Sequence, residues 1–413
     1  MMNPLLSGIR VLDLSRLLPG PFCTLYLAQL GAEVIKIEEP DGGDYTRTMS
    51  PELFALINRG KKSVTLDLRQ PEAVAIFKRM VEQADVVIDT FRPDVMNNLG
   101  CGYAVLKQIN PRLVYAALTG YGHTGPYRDR AGHDTNYRGY AGELEQNGVS
   151  GGPPGAGNFQ VADLAGGALT CAIGILAAVI GARASGQGAF VDVGMLDGTL
   201  ALQAVALSTL RAHGKTQPRG QDMLSGALPN YSLYKCRDGR YLAVGALEPK
   251  FFKAVLTGLL EIAPRPLRTT LSRALDGRKP AQSTGNATAT PQKDHKQDPM
   301  ARMQEMFGNP AKARRLLAPV RWAMTAVFRL KTRDQWERLL EPHDACVSGV
   351  LSLAEALENE QVRARGLVEQ SGGGPAIRNP IRFEGARTLS GPCPALGEHT
   401  DELLKALGIA TGN

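Results

Sequence analysis

The chain has 413 residues, of which 43% are hydrophobic and 21% charged. That is enough to bury a large core in more than one domain, and it excludes a disordered or fibrous protein. The net charge of +7 comes from basic residues spread along the chain, not from one Arg/Lys tract with interleaved aromatics, so a phosphate-bearing small molecule is as good a partner as nucleic acid.

Taken in chain order, the first half alternates strand and helix patterns at short intervals. Ile9 to Leu14 reads as a buried strand, Phe22 to Leu30 as a helix started near Pro21, and Glu33 to Glu38 as a second strand. The alternation continues with a strand at Ser63 to Leu68, a helix at Glu72 to Gln83, a strand at Asp85 to Thr90, a helix after Pro93, and a strand at Arg112 to Leu118. Such a series predicts an α/β fold, a Rossmann-like parallel sheet with right-handed crossovers. The first strand leads into Ser15-Arg16-Leu17-Leu18-Pro19-Gly20-Pro21, which is neither a dinucleotide fingerprint nor a Walker A loop. Nicotinamide chemistry and ATP hydrolysis therefore lose support.

Leu164 to Ala182 is uncharged and approaches membrane-spanning length, but its Gly/Ala composition predicts a buried helix packed closely through small residues. After a strand at Ala189 to Val193 and a helical stretch from Met195 to Leu210, a polar linker runs from Arg211 to Gln221. Tyr231 to Lys235 and Tyr241 to Val244, around an Asp238-Gly239 turn, then read as a hairpin. The expected division is a large domain over residues 1–194, a linker over 195–225, a smaller α+β domain over 226–346, and a return segment over 347–413 that packs on the large domain. Within the smaller domain, residues 263–300 lose periodicity and read as a flexible insert. The six cysteines, Cys23, Cys101, Cys171, Cys236, Cys346 and Cys393, show no Cys-x-x-Cys spacing, which argues against a zinc site or a disulfide framework. With no secretory leader pattern, the expected location is the cytoplasm.

Three short segments each put a proton-transfer group where a loop becomes a helix: Gly132-His133-Asp134, Ala162-Asp163 and Leu247-Glu248-Pro249. An isolated loop histidine commonly satisfies only local hydrogen bonds, and Asp134 can cap the helix that follows it. Yet free N–H groups at such a helix start also stabilise an oxyanion beside an imidazole. Asp163 reads either as an N-cap or as a carboxylate kept anionic by the helix dipole, with Gly166 and Gly167 leaving room for a ligand. Glu248, ahead of Pro249, reads as a helix-start carboxylate or as a group that orients His133.

Leu18-Pro19-Gly20-Pro21-Phe22, Gly31 to Glu38, Gly186-Gln187-Gly188, Asp344-Ala345-Cys346-Val347 and Leu396-Gly397-Glu398-His399-Thr400-Asp401 resemble the family III CoA-transferases, the CaiB/BaiF group. Ala131 to Tyr137, Ala162-Asp163 and Gly245 to Phe251 resemble its α-methylacyl-CoA racemase branch. This resemblance implies an interlocked homodimer, with CoA bound as part of the substrate by the large domain, no other cofactor and no metal. It implies that Glu248 reaches His133 across the dimer, that Lys36, Arg92 and Lys61 meet the CoA phosphates, and that Tyr137 lines the pocket. It further implies that His133 and Asp163 move the α-proton of a 2-methylacyl-CoA on opposite faces of an enolate, with the Asp134 amide as oxyanion donor. The rival reading is a true CoA-transferase, in which Asp163 is a nucleophile passing through an aspartyl-CoA thioester. Phe159 stands where racemases often carry an asparagine, and the segment after Met223 departs from their pattern.

Overall fold

Strand residues in the first half alternate between two apolar layers, and this alternation builds the sheet. In the computed structural model, which describes residues 4–265, 268–269 and 310–409, Val11, Val34, Val86 and Ala116 enter one core, while Leu12, Ile35, Val87 and Ala117 enter another. Successive side chains of a strand point to opposite faces, so both faces of the sheet are covered.

The strands are β1 (Arg10–Asp13), β2 (Glu33–Glu38), β3 (Lys62–Thr65), β4 (Val86–Asp89), β5 (Val114–Thr119) and β6 (Phe190–Gly194). They pair in parallel in the order β3-β2-β1-β4-β5-β6, with Val11 opposite both Val34 and Val86. This is the order of a Rossmann sheet, whose halves wind away from each other at β1 and β4. The α/β expectation holds, and each predicted strand of the first half overlaps an observed one with ends that agree within three residues. Helix α1 (Pro19–Gln29) starts three residues earlier than expected, because two prolines suit the first turn, where N–H groups go unused.

The loop from β1 to α1 rests on buried charge. Asp13 accepts from the Ser15 amide (2.9 Å), Thr24 Oγ1 (2.5 Å) and Lys61 Nζ (3.2 Å). Lys36 Nζ donates to the Ser15 carbonyl (2.7 Å) and pairs with Asp44 Oδ2 at 3.0 Å. Burial alone would raise the Asp13 carboxyl, but Lys61 and Lys36 hold it down at about 2. Burial lowers Lys61 to about 8 against the pull of Asp13.

The chain divides into two compact units. One comprises residues 1–145, 155–208 and 357–413, the other 146–154 and 209–356. Met195–Ala201 thus belongs to the larger unit and not to a linker. Its Gly198 lies so close to the Gly166 backbone that any Cβ there would overlap the carbonyl oxygen. The apolar helix is also not buried all round. Along Ala162–Leu169, which is π-helical, and α3 (Thr170–Ser185), the residues Cys171, Ala172, Ile175, Val179 and Ala182 face the core, while Ile173 and Ile180 are 69% and 70% exposed.

The smaller unit holds an antiparallel sheet of β7 (Tyr231–Lys235), β8 (Tyr241–Gly245) and β9 (Val347–Gly349) in that order. The hairpin was legible in the sequence. The third strand, three residues long and distant in sequence, was not. Tyr234, Val244, Phe328 and Trp336 form the core. The expected insert 263–300 lies for the most part outside the described residues.

Candidate active site

His133 stands at the N-cap of α2 (Asp134–Tyr140), where Gly132 and the extended backbone of His133 turn the chain into the helix. The Asn136 side chain accepts from the His133 amide at 3.0 Å, and the amides of Asn136 and Tyr137 bond to the His133 carbonyl. The imidazole is exposed. At the first helical position, the Asp134 amide has no intrahelical carbonyl to bond.

The Asp134 side chain does not cap its own helix. Its Oδ1 accepts from the amides of Ala162 (2.8 Å) and Asp163 (3.2 Å), so a carboxylate on α2 caps the helix that carries Asp163. Helix starts leave such N–H groups without partners, and this one is satisfied from a neighbouring element. Arg138, 2% exposed, holds the other oxygen of Asp134 at 3.2 Å and also bonds Glu143 and the carbonyl of Ala156. Arg138 was not among the candidates legible in the sequence. Its signal was the i,i+4 spacing from Asp134.

Asp163 is the second residue of the π-helical stretch, not its N-cap, and such stretches recur at functional sites. Burial, followed by the charge of Asp134, pushes its carboxyl up to about 7. The helix dipole therefore does not keep it anionic, because desolvation and a like charge outweigh the dipole here. Nor do Gly166 and Gly167 open a ligand path. A Cβ at Gly166 would stand 2.6 Å from Thr199 Oγ1, and one at Gly167 2.7 Å from Met195 Cγ. These glycines admit another helix.

Beyond the carboxyl ends of β4 and β5 lies a cavity of about 410 Å³, walled by Arg92, Arg128, Arg130, His133 and Tyr137 among others. Open α/β sheets bind ligands at this end. The Tyr137 hydroxyl donates to the Gly132 carbonyl, and its ring fills space that a Cβ at Gly120 would overlap. Burial and then Asp163 push its phenol up, so the two groups share one environment. Arg128 pairs with Asp94 at 2.5 Å, and Arg130 lies over the Tyr127 ring. Both stand just ahead of the histidine motif, in a stretch the sequence reading did not use.

Of the expected phosphate-binding residues, only Arg92 is exposed at this cavity. Lys36 and Lys61 are 0% and 4% exposed, and each ammonium is committed to the β1–α1 loop. Their positions near strand ends suggested ligand contact, but Lys36 on β2 and Lys61 just ahead of β3 both have their side chains buried. Glu248, in the smaller unit, is the exposed N-cap of α4 (Pro249–Leu260). Its carbonyl starts the helix while its carboxylate makes no capping bond. Asn230 Nδ2 holds the preceding turn through the Ala246 carbonyl at 3.0 Å.

Set beside known proteins, residues 6–400 match the family model for CoA-transferase family III. α-Methylacyl-CoA racemase of Homo sapiens is 32% identical over 412 residues, covering 98% of this chain and 94% of that protein. The acetyl-CoA:oxalate CoA-transferase of Acetobacter aceti is 31% identical, covering 92% of this chain and 89% of its own. Among solved structures, a CaiB/BaiF family protein from Brucella suis superposes with a TM-score of 0.78 at 28% identity, covering 98% of this chain and all of that one.

Proposed function

We propose that this chain, which belongs to CoA-transferase family III, is a racemase that interconverts R and S 2-methylacyl-CoA thioesters through an enolate. The observation that carries this reading is Asp163, a largely buried carboxyl whose charged influence is another carboxylate and which is held up at about 7. Proton transfer is most effective when the carrier's pKa lies near the working pH. A carboxylate nucleophile, by contrast, attacks as its anion, the form this environment disfavours.

In this mechanism His133 removes the α-proton of the S substrate and Asp163 returns one on the opposite face. In the reverse direction the two exchange roles. Charge building on the thioester oxygen meets the free amide of Asp134 at the helix start. CoA is held as part of the substrate, its phosphates near Arg92, Arg128 and Arg130, and no further cofactor takes part. The working unit is a homodimer in the cytoplasm, in which Glu248 of a second copy orients His133. Support for the dimer is the exposure of the large apolar side chains Ile173, Ile180, Leu200, Leu202 and Val205, since exposed apolar surface marks association when it is contiguous.

The second reading, a CoA-transferase using Asp163 as nucleophile, is favoured by the Acetobacter aceti relative, similar over most of the chain. Incubating the protein with a chiral 2-methylacyl-CoA in deuterated water separates the two. The racemase incorporates deuterium at the α-carbon with loss of optical purity, and His133→Ala lowers the rate about 1,000-fold, the scale of a lost general base. Absence of exchange, with hydroxylamine-sensitive CoA on Asp163 in the presence of a carboxylate acceptor, assigns the transferase instead.

A further inference from the structure

A second cavity, of about 650 Å³, lies in the C-terminal segment of the larger unit, around the hairpin β10 (Val368–Ser371) and β11 (Gly374–Ile377). Five arginines line it: Arg363, Arg365, Arg378, Arg382 and Arg387. Arg363 pairs with Glu358. Glu369, the acid in its wall, is taken up by Arg378 (3.0 Å), Arg59 (3.6 Å) and Ser390 Oγ (2.7 Å). Arg365, Arg382 and Arg387 have no ion pair among the described residues.

In the same wall stands Asn379, only 4% exposed. Its Oδ1 accepts from the Ile381 amide at 3.0 Å, which orients the side chain, and its buried Nδ2 has no partner. Buried donors are nearly always bonded, so an orphaned one in a residue of the cavity wall calls for an acceptor. Three unpaired guanidinium groups and an amide donor, with the acid already neutralised, form a donor set for an oxyanion. Planar arginine forks match phosphate oxygens two at a time.

This cavity is separate from the one beside His133. The Leu389 amide bonds the Gln29 carbonyl (2.7 Å) at the end of α1, and the Ile377 carbonyl accepts from Arg59 (2.5 Å). Gln29 and Arg59 lie where the chain is about to enter β2 and β3, toward the amino ends of those strands. The cavity beside His133 is walled by residues that follow β4 and β5, at the opposite end of the sheet. We propose that the arginine cavity is a second binding site, one that takes a phosphate-bearing small molecule of nucleotide size, because the volume falls in the range of small-molecule pockets and its free donors all suit phosphate.

The test uses ADP as probe on the full chain freed of phosphate, with saturating CoA present to occupy the first site. Equilibrium dialysis is expected to find one ADP per chain that CoA does not displace. Arg382→Ala combined with Arg387→Ala weakens that ADP at least tenfold, Asn379→Ala weakens it less, and CoA binding by both variants stays at the wild-type level. Complete displacement of ADP by CoA overturns the proposal, as does wild-type ADP affinity in the double variant. Inorganic phosphate binding as tightly as ADP overturns the nucleotide-sized ligand. A changed sedimentation coefficient with unchanged ADP binding assigns the arginines to contact with another copy, and that too overturns it.

Discussion

Two aspartates, Asp13 fully buried and Asp163 half-buried, are driven in opposite directions by what surrounds them. Asp13, at the end of β1, has Lys61 at 3.2 Å and Lys36 nearby, and its carboxyl is held down at about 2 despite burial. Asp163 has burial and the like charge of Asp134, and it rises to about 7. Burial raises both. The sign of the nearest charge then decides whether a carboxylate becomes a fixed anion that braces a loop or a group able to exchange protons near neutrality.

The largest way to break this comparison is to remove the lysine. Lys61→Met leaves Asp13 buried without its partner and is expected to lower stability by about 3 kcal/mol at pH 7, measured by urea unfolding. Because the folded pKa of Asp13 is depressed, its contribution is present above about 3.9, the ordinary carboxyl value, and is lost as pH falls through about 2. The deficit of the variant therefore shrinks in acid. A deficit independent of pH places the effect in lost packing instead.

Asp163 predicts the reverse sign. Its folded pKa is raised, so the stability tied to its protonated form is full below about 3.9 and is lost as pH rises through about 7. Asp163→Asn is expected to stabilise the protein at pH 8 by on the order of 2 kcal/mol and to give no gain at pH 4. Thermal melts at the two pH values measure it. An equal effect at both would mean that the carboxyl does not titrate in this range.

The smallest effect sharpens the role of the neighbour. Asp134→Asn keeps an oxygen to accept from the amides of Ala162 and Asp163 but removes the like charge. On the proposed mechanism, the acid limb of the pH–rate profile with the R substrate moves down by about one unit, or about 1.4 kcal/mol. An unmoved limb would leave desolvation as the sole cause of the raised Asp163.

Much of the larger unit was legible because its order is local. Period-two alternation and loop punctuation gave β2 residue for residue and placed the hairpin of β7 and β8. The same local signals located His133, Asp163 and Glu248 at helix starts, since glycine, proline and short acids mark such places. Other features are long-range. β9 pairs with β8 about a hundred residues away, and no periodicity in a three-residue strand announces it. Gly166 and Gly167 carry no mark that distinguishes a ligand path from a neighbouring helix.

What the amino-acid sequence by itself determined was the α/β class, the alternation of elements and the candidate proton-transfer side chains at helix starts, because those depend on residue type and short spacing. Tertiary structure alone decided the state and use of each group. It turned Lys36 and Lys61 inward, made Asp134 the cap of another helix, and set Asp163 apart from any cation. Protonation depends on solvent exclusion and on charges brought close in space, and both arise only when distant segments pack.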